Sequence, residues 1–153
     1  MFKLSSGFKS GLRVLTLLAE SEPGQPVPIS EMAPRLNLSD KYLEQLLMIL
    51  RRAGLVRSVR GSNGGFLLAQ NPAKITLRQI LEALQGPIDL CECTREDCDE
   101  CVRPEIWRAI ETSFSGTLAT LTLQHLISRD AFQITPHSIV LPDSPLWQEG
   151  GGI

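Results

Sequence analysis

The stretch LCECTREDCDECVRPEIW, Leu90 to Trp107, holds every cysteine of the chain. Cys91, Cys93, Cys98 and Cys101 fall within eleven residues, spaced Cys-x-Cys-x4-Cys-x2-Cys. Four chemistries suit such a run. Four thiolates are the common full ligand set of an iron–sulfur cluster. They also suit tetrahedral zinc, of which the Cys-x2-Cys end is typical. A pair of them could form and break a disulfide, or all four could stand in a loop without a ligand. Spacing alone does not separate cluster from zinc. Glu92, Glu96, Asp97, Asp99 and Glu100 surround the thiols. Their charge opposes ionisation of a bare thiol, whereas a bound metal deprotonates its ligands outright.

The compartment narrows the choice. No apolar run reaches the ~20 residues that cross a bilayer. The opening MFKLSSGFKSGLRVLTLLAE, interrupted by Arg13, reads as an amphipathic helix rather than a signal peptide. A cytoplasmic protein without a membrane partner is expected, and there clustered cysteines point to metal or redox chemistry more than to a structural disulfide framework.

The loop needs elements to hold it. Leu12, Leu15 and Leu18, widened by Val14 and Leu17, predict a first helix. Pro26 and Pro28 exclude helix from GQPVP. Ser30 is expected to cap a short second helix, SEMAPRL, brief enough to accept Pro34. Ser39 is expected to cap a third, in which Leu43, Leu46, Leu47 and Leu50 follow the i, i+3, i+4, i+7 rule and Gly54 closes the end. A short helix, a tight turn and a longer helix form a helix-turn-helix. The β-rich runs LVRSV and GFLLA follow, with SNGG between them expected to supply positive-φ turn residues. Helix-turn-helix plus hairpin is a winged helix. Pro72 ends the wing. Thr76-Leu77-Arg78-Gln79 is a capping box opening a helix striped by Leu77, Ile80, Leu81 and Leu84, and Gly86-Pro87 stops it.

Beyond the cysteines, Pro104 suits the first position of a long helix. On it Trp107, Ile110, Phe114, Thr117 and Leu121 recur every three or four residues, close to a heptad seam. Standing apart from the winged domain, that stripe would be buried best against a second copy. Thr122 is placed to cap a shorter closing helix, LQHLIS. His125 and His137 are lone histidines read as surface residues. The tail from Arg129, with Pro136, Pro142, Pro145 and three closing glycines, is expected to be loose. The fold class is therefore mainly α: a winged helix-turn-helix DNA-binding domain (1–86), a cysteine-rich loop (87–103), dimerisation helices (104–128) and a tail (129–153).

Charge supports a nucleic-acid partner. Residues 1–70 carry nine Lys/Arg against five Asp/Glu, +4, and residues 71–153 carry six against twelve, −6, which sum to the net −2. A basic front suits a polyanion. With the leucine stripe inward, Lys41, Gln45, Met48 and Arg52 point outward, flanked by Glu44 and Arg51. Such a helix lies in the DNA major groove with its N-terminal part against base edges. Lys41, Glu44 and Gln45 are then the base-reading candidates, for guanine, cytosine and adenine edges respectively, and Tyr42 is counted with them as a DNA-binding residue. Arg51 and Arg52 suit phosphates, which position without reading sequence. Arg57 and Arg60 flank a slim tip, Gly61-Ser62-Asn63-Gly64-Gly65, shaped for a minor groove, with Ser62 and Asn63 at its end.

LSSGFKSGLRVLTLLA, SDKYLEQLLMILRRAGLVRSVRGSNGGFLLA and ITLRQILEALQGPI closely resemble the IscR/NsrR-type family of bacterial winged-helix regulators, also called the Rrf-two family, over roughly residues 2–128. The resemblance implies a homodimer on a pseudo-palindromic double-stranded DNA operator, usually acting as a repressor. Glu44 matches a glutamate that tunes site choice, and Arg60 matches the wing arginine. Many members hold a 2Fe–2S or 4Fe–4S cluster on three cysteines between the wing domain and the long helix. Cys101, six residues before Trp107, stands where their last cysteine stands. The chain also departs from the pattern. Its four thiols are more tightly spaced. Pro104 occupies the place of the histidine ligand of IscR-like members. The Lys9 region offers no carboxylate where NsrR-like members lend an aspartate to the partner. The extra cysteine is the implied substitute.

The reading is a dimeric DNA-binding regulator, a repressor, controlled by an iron–sulfur cluster on Cys91, Cys93, Cys98 and Cys101. A 2Fe–2S cluster is expected, with 4Fe–4S or zinc as alternatives. Dimerisation is expected through Trp107, Ile110, Phe114 and Leu121. The competing readings are a cofactor-free or thiol- or zinc-responsive regulator of the same fold, and a small redox or iron-handling protein on this scaffold. No Ser/His/Asp or Cys/His catalytic set and no phosphate-binding glycine loop occurs, so neither an enzyme nor a small-molecule substrate is expected.

Overall fold

The computed structural model of the chain describes residues 4–90 and 104–128. Helix α1 (Ser6–Glu20) starts at Ser5, whose hydroxyl accepts from the Phe8 N–H, and buries Val14, Leu15, Leu17 and Leu18. Arg13, the charge interrupting its apolar run, donates to the Leu36 carbonyl at 2.8 Å. That carbonyl ends α2 (Ile29–Leu36), where a cation suits the helix dipole.

The second helix begins earlier than a Ser30 cap implies, its N-cap falling at Pro28, two residues before Ser30. Ser30 lies inside its first turn, and Pro28 precedes it without a side-chain cap. The physical reason is local: the Pro28 carbonyl accepts from both Glu31 and Met32 N–H groups, at 3.0 and 3.1 Å, so the first turn closes before a serine acceptor is needed. Asn37, left-handed at φ 53°, ends α2, and Ser39 caps α3 (Asp40–Arg52) through the Tyr42 N–H. At the far end the Leu55 N–H reaches the Leu50 carbonyl (2.9 Å) and the Gly54 N–H that of Arg51 (3.0 Å), with Gly54 at φ +72°. This Schellman pairing needs a left-handed residue and sends the chain directly into the wing.

The wing pairs β1 (Val56–Val59) with β2 (Gly65–Leu68), antiparallel, Val56 opposite Leu68 and Ser58 opposite Phe66. Its turn departs from expectation. Positive φ falls on Gly61 (+115°) and Gly65 (+158°), not on the intervening Ser62, Asn63 or Gly64. The connection is longer than a two-residue primed turn, and its tip closes as an ordinary turn, with the Gly64 N–H on the Gly61 carbonyl at 3.0 Å. The sheet has a support that the proline-rich stretch concealed: Val27 exchanges both backbone hydrogen bonds with Phe66, at 3.0 and 2.9 Å.

After a 3-10 turn at Pro72–Lys74, the Thr76/Gln79 capping box opens α4 (Leu77–Gln85). Then come α5 (Pro104–Thr120) and α6 (Leu123–Ile127). The expectation that the long helix stands apart holds only for its first half, where Ile106 and Trp107 are exposed. Phe114 and Leu118 pack against the core, and Leu123 is fully buried in it. The Leu77 N–H meets the Leu121 carbonyl and the Leu123 N–H the Ile75 carbonyl, both at 2.8 Å. Leu123 thus closes the core formed by Val14, Leu15, Leu43, Leu47, Leu50, Leu55, Ile75 and Ile80. At the entry to α6 the Thr122 N–H donates to His125 Nδ1 at 3.0 Å, giving that histidine a local structural role. No helix among the described residues is long and apolar enough to cross a membrane.

Candidate nucleic-acid interface

Burial of Leu43, Leu46, Leu47 and Leu50 fixes the rotation of α3. Four such leucines contribute roughly 1.5–3 kcal/mol each, far more than any surface contact that might turn the helix otherwise. Lys41, Glu44, Gln45, Arg51 and Arg52 are consequently exposed, and Tyr42 is half-buried. Among the described residues, the side chains of Lys41, Glu44, Gln45 and Arg52 make no hydrogen bond or ion pair. Their donors and acceptors are open to a ligand. Arg51 differs: its guanidinium approaches Ser58 Oγ of β1 at 3.5 Å, joining the end of α3 to the wing.

On the wing Arg57, Arg60, Ser62 and Asn63 are all exposed. Strand alternation divides them. Ser58 and its partner Phe66 share the face toward Arg51, whereas Arg57 shares the other face with its partner Leu67. The structure therefore brings Arg51, Ser58 and Phe66 together and sets Arg57 apart from them. Ser58 and Phe66 are absent from the residues that the sequence singles out. The two-residue period counted from buried Val56 could have put Ser58 on the inner face. Glu44, Met48, Arg51 and Phe66 line a recess of about 220 Å3 between helix and wing.

Cys91, Cys93, Cys98 and Cys101 lie outside the described residues, as does the tail from 129. The anchors of the cysteine segment are described. Before it, the Leu90 N–H donates to a Glu111 carboxylate oxygen of α5 at 3.5 Å. After it, Pro104 opens the same helix. Seven residues of helix separate these anchors by roughly 10 Å, so the described residues on either side of the segment, Leu90 and Pro104, both meet α5. Among the described residues no three His, Cys, Asp or Glu side chains stand close enough to hold a metal ion. On α5, Trp107 is exposed, Ile110 and Phe114 are half-buried, and the following Leu121 is half-buried against α4 through its carbonyl.

Comparison with known proteins agrees with this geometry. The Rrf2 family model, described as an iron-dependent transcriptional regulator, matches residues 4–129. The regulator CymR of Bacillus subtilis is 36% identical over 126 residues, covering 82% of this chain and 90% of its own length. The regulator IscR of Photorhabdus laumondii is 34% identical over 128 residues, covering 81% and 77%. The solved structure of B. subtilis CymR, described as the global cysteine regulator, superposes with a TM-score of 0.71 at 35% identity, covering 86% of this chain and all of that one.

Proposed function

The chain belongs to the Rrf2 family of transcriptional regulators, and from that premise we propose that it represses transcription as a homodimer on double-stranded DNA, its operator affinity governed by an iron–sulfur cluster on the cysteine loop. The observation that carries the DNA part is the row of exposed, uncommitted polar side chains, Lys41, Glu44, Gln45 and Arg52, on a helix whose opposite face is locked by leucines. Lys41, Glu44 and Gln45 read base edges near the helix N-terminus. Tyr42, Arg51 and Arg52 hold the sugar–phosphate backbone, while Arg57, Arg60, Ser62 and Asn63 carry the wing to the adjacent groove. The partner copy covers the exposed start of α5 at Ile106 and Trp107, continued by Ile110 and Phe114.

The donor set fits the cofactor. Cys91, Cys93, Cys98 and Cys101 supply four thiolates, the full complement of a 2Fe–2S or 4Fe–4S centre, in a segment whose ends meet one helix. When bound, such a centre supplies a redox-labile cross-link among the four thiols. The chain's own part would be to hold such a centre on the segment that precedes Pro104, so that it bears on the helix proposed to space the two reading heads. Half-sites stand about 34 Å apart or at a multiple of it, so head spacing governs operator fit.

One observation favours a second reading: CymR, a relative at 36% identity, is described as a cysteine regulator. In that reading the thiols respond without a cluster or hold zinc. Anaerobic purification with a visible spectrum and iron, sulfide and zinc counts decides between them. Stoichiometric iron and sulfide uphold the first reading, and a colourless protein that binds operator tightly upholds the second. Failure to bind any duplex at low salt, with or without iron, overturns both.

A further inference from the structure

Met48 has no packing task that accounts for its position. The inward face of α3 is complete with Leu43, Leu46, Leu47 and Leu50, yet Met48 stands 46% exposed on the outward face between Glu44 and Arg51, beside Ile49, itself 40% exposed. It is one turn after Glu44 and one turn before Arg51, so all three share a line along the helix. Across from them the wing contributes Phe66, and the four residues enclose the recess between α3 and β2. Its middle is a thioether chain and an aromatic ring, with a carboxylate at one end and a guanidinium at the other. The second observation is the rigidity of that wall: Phe66 is pinned by both backbone bonds to Val27.

A duplex offers the major groove one apolar group, the C5-methyl of thymine. Beside it lie exocyclic amines that suit a carboxylate and phosphates that suit an arginine. We propose that Met48, backed by Phe66, is a specificity-determining residue that reads a thymine methyl, with Glu44 taking an amine of a neighbouring base and Arg51 the flanking phosphate. The charge order along the recess, acceptor then apolar then cation, matches that sequence of groups. Methionine suits the task, since its flexible thioether moulds to an irregular apolar surface. The inference rests on the DNA-binding reading above and adds a sequence preference to it.

The test uses a duplex selected by the full-length protein from a random library. Each thymine is replaced in turn by uracil, which removes one methyl group and nothing else. At one position per half-site, uracil should weaken wild-type binding about fourfold, the worth of one buried methyl-sized group. Met48→Ala should bind thymine and uracil duplexes alike at that position, while Met48→Leu should keep most of the preference. Because Met48 is half exposed, neither variant should shift the melting temperature. Uracil tolerated at every position by the wild type overturns the inference, and so does a uracil penalty that survives in Met48→Ala. In both outcomes duplex binding persists and the regulator reading stands. A protein that selects no duplex at all overturns that reading and the inference with it.

Discussion

Gly65 is the pivot on which the wing is hung, and replacing it by alanine separates wing from core. An alanine Cβ there would stand 2.5 Å from both the carbonyl carbon and oxygen of Val27 and 2.8 Å from the Pro28 nitrogen. These atoms are backbone, so no rotamer change relieves them. Comfortable carbon contacts lie near 3.5–4.0 Å, which requires a displacement of roughly 1 Å. The two bonds joining Val27 to Phe66, at 3.0 and 2.9 Å, must absorb it. At about 1 kcal/mol net per bond, plus the strain of φ +158° on a residue with a side chain, the expected cost is about 2–3 kcal/mol. For a chain of this size each kcal/mol moves the melting temperature by about 2–4 °C, giving a fall of roughly 4–12 °C.

The functional effect should be disproportionate. The displaced strand carries the tip with Arg60, Ser62 and Asn63, so operator affinity should drop more than tenfold while far-ultraviolet circular dichroism keeps its helical amplitude. Gly116 provides the matched control. It lies inside α5 with nothing within 4 Å of an added Cβ, and Gly116→Ala should stabilise by roughly 0.5–1 kcal/mol. A Gly65→Ala protein that melts and binds DNA like the wild type would refute the Val27–Phe66–Gly65 arrangement and the role given to the wing.

Three further perturbations address other parts of the molecule. Leu123→Ala removes a fully buried side chain that joins α6 to the core and should cost about 2–5 kcal/mol, read by chemical denaturation; a cost below 1 kcal/mol would detach α6 from that core. On the proposed DNA-binding reading Arg51, Arg52, Arg57 and Arg60 would bring four cations per protomer to the duplex, so the slope of log affinity against log salt for a dimer should be roughly −7, and Arg52→Ala should reduce its magnitude by nearly 2. Cys101→Ala should abolish visible absorbance in the anaerobically purified protein and change operator affinity, and unaltered colour and affinity would remove the cysteine loop from the sensing reading.

Some of this was legible from sequence because the signals are local. The leucine spacing from Leu43 to Leu50, Ser39 before it and Gly54 after it place α3 without reference to anything distant, and Thr76 with Gln79 does the same for α4. The Val27–Phe66 pairing escaped because its partners are far apart in sequence and Val27 sits between two prolines, which normally argue against a strand. Ser30 misled because capping preference favours serine, whereas the Pro28 carbonyl had already closed the turn. Leu123 looks from sequence like the start of a separate helix, and only the backbone bonds of Leu123 to Ile75 and of Leu77 to Leu121 return it to the core. The outward side of α3 could be read residue by residue. The recess at Met48 could not, since one of its walls comes from β2.

The C-terminal end of α5 is anchored in the core, and the cysteine segment precedes its N-terminal end in the sequence. At the C-terminal end Phe114, Leu118 and Leu123 join the core and two short backbone bonds clamp the chain. Near the start, Ile106 and Trp107 are exposed, and the preceding segment is tied to the helix by the Leu90 N–H on Glu111, at 3.5 Å, a length at which a hydrogen bond contributes little. On the reading proposed above, a helix anchored in the core at its C-terminal end is the element through which the cysteine segment would act. A tenfold change in operator affinity needs only about 1.4 kcal/mol of coupling, whereas binding of structural zinc by a zinc-finger peptide, a guide to the scale of metal ligation, is worth about 10–16 kcal/mol. On the proposed reading, about a tenth of an energy of that size, expressed as a preference for one direction of α5, would be enough to control DNA binding. On that reading, thiols that precede Pro104 in the sequence would bear on the end of α5 away from the core, whereas the same ligands beside Leu123 would act on a joint already fixed by packing.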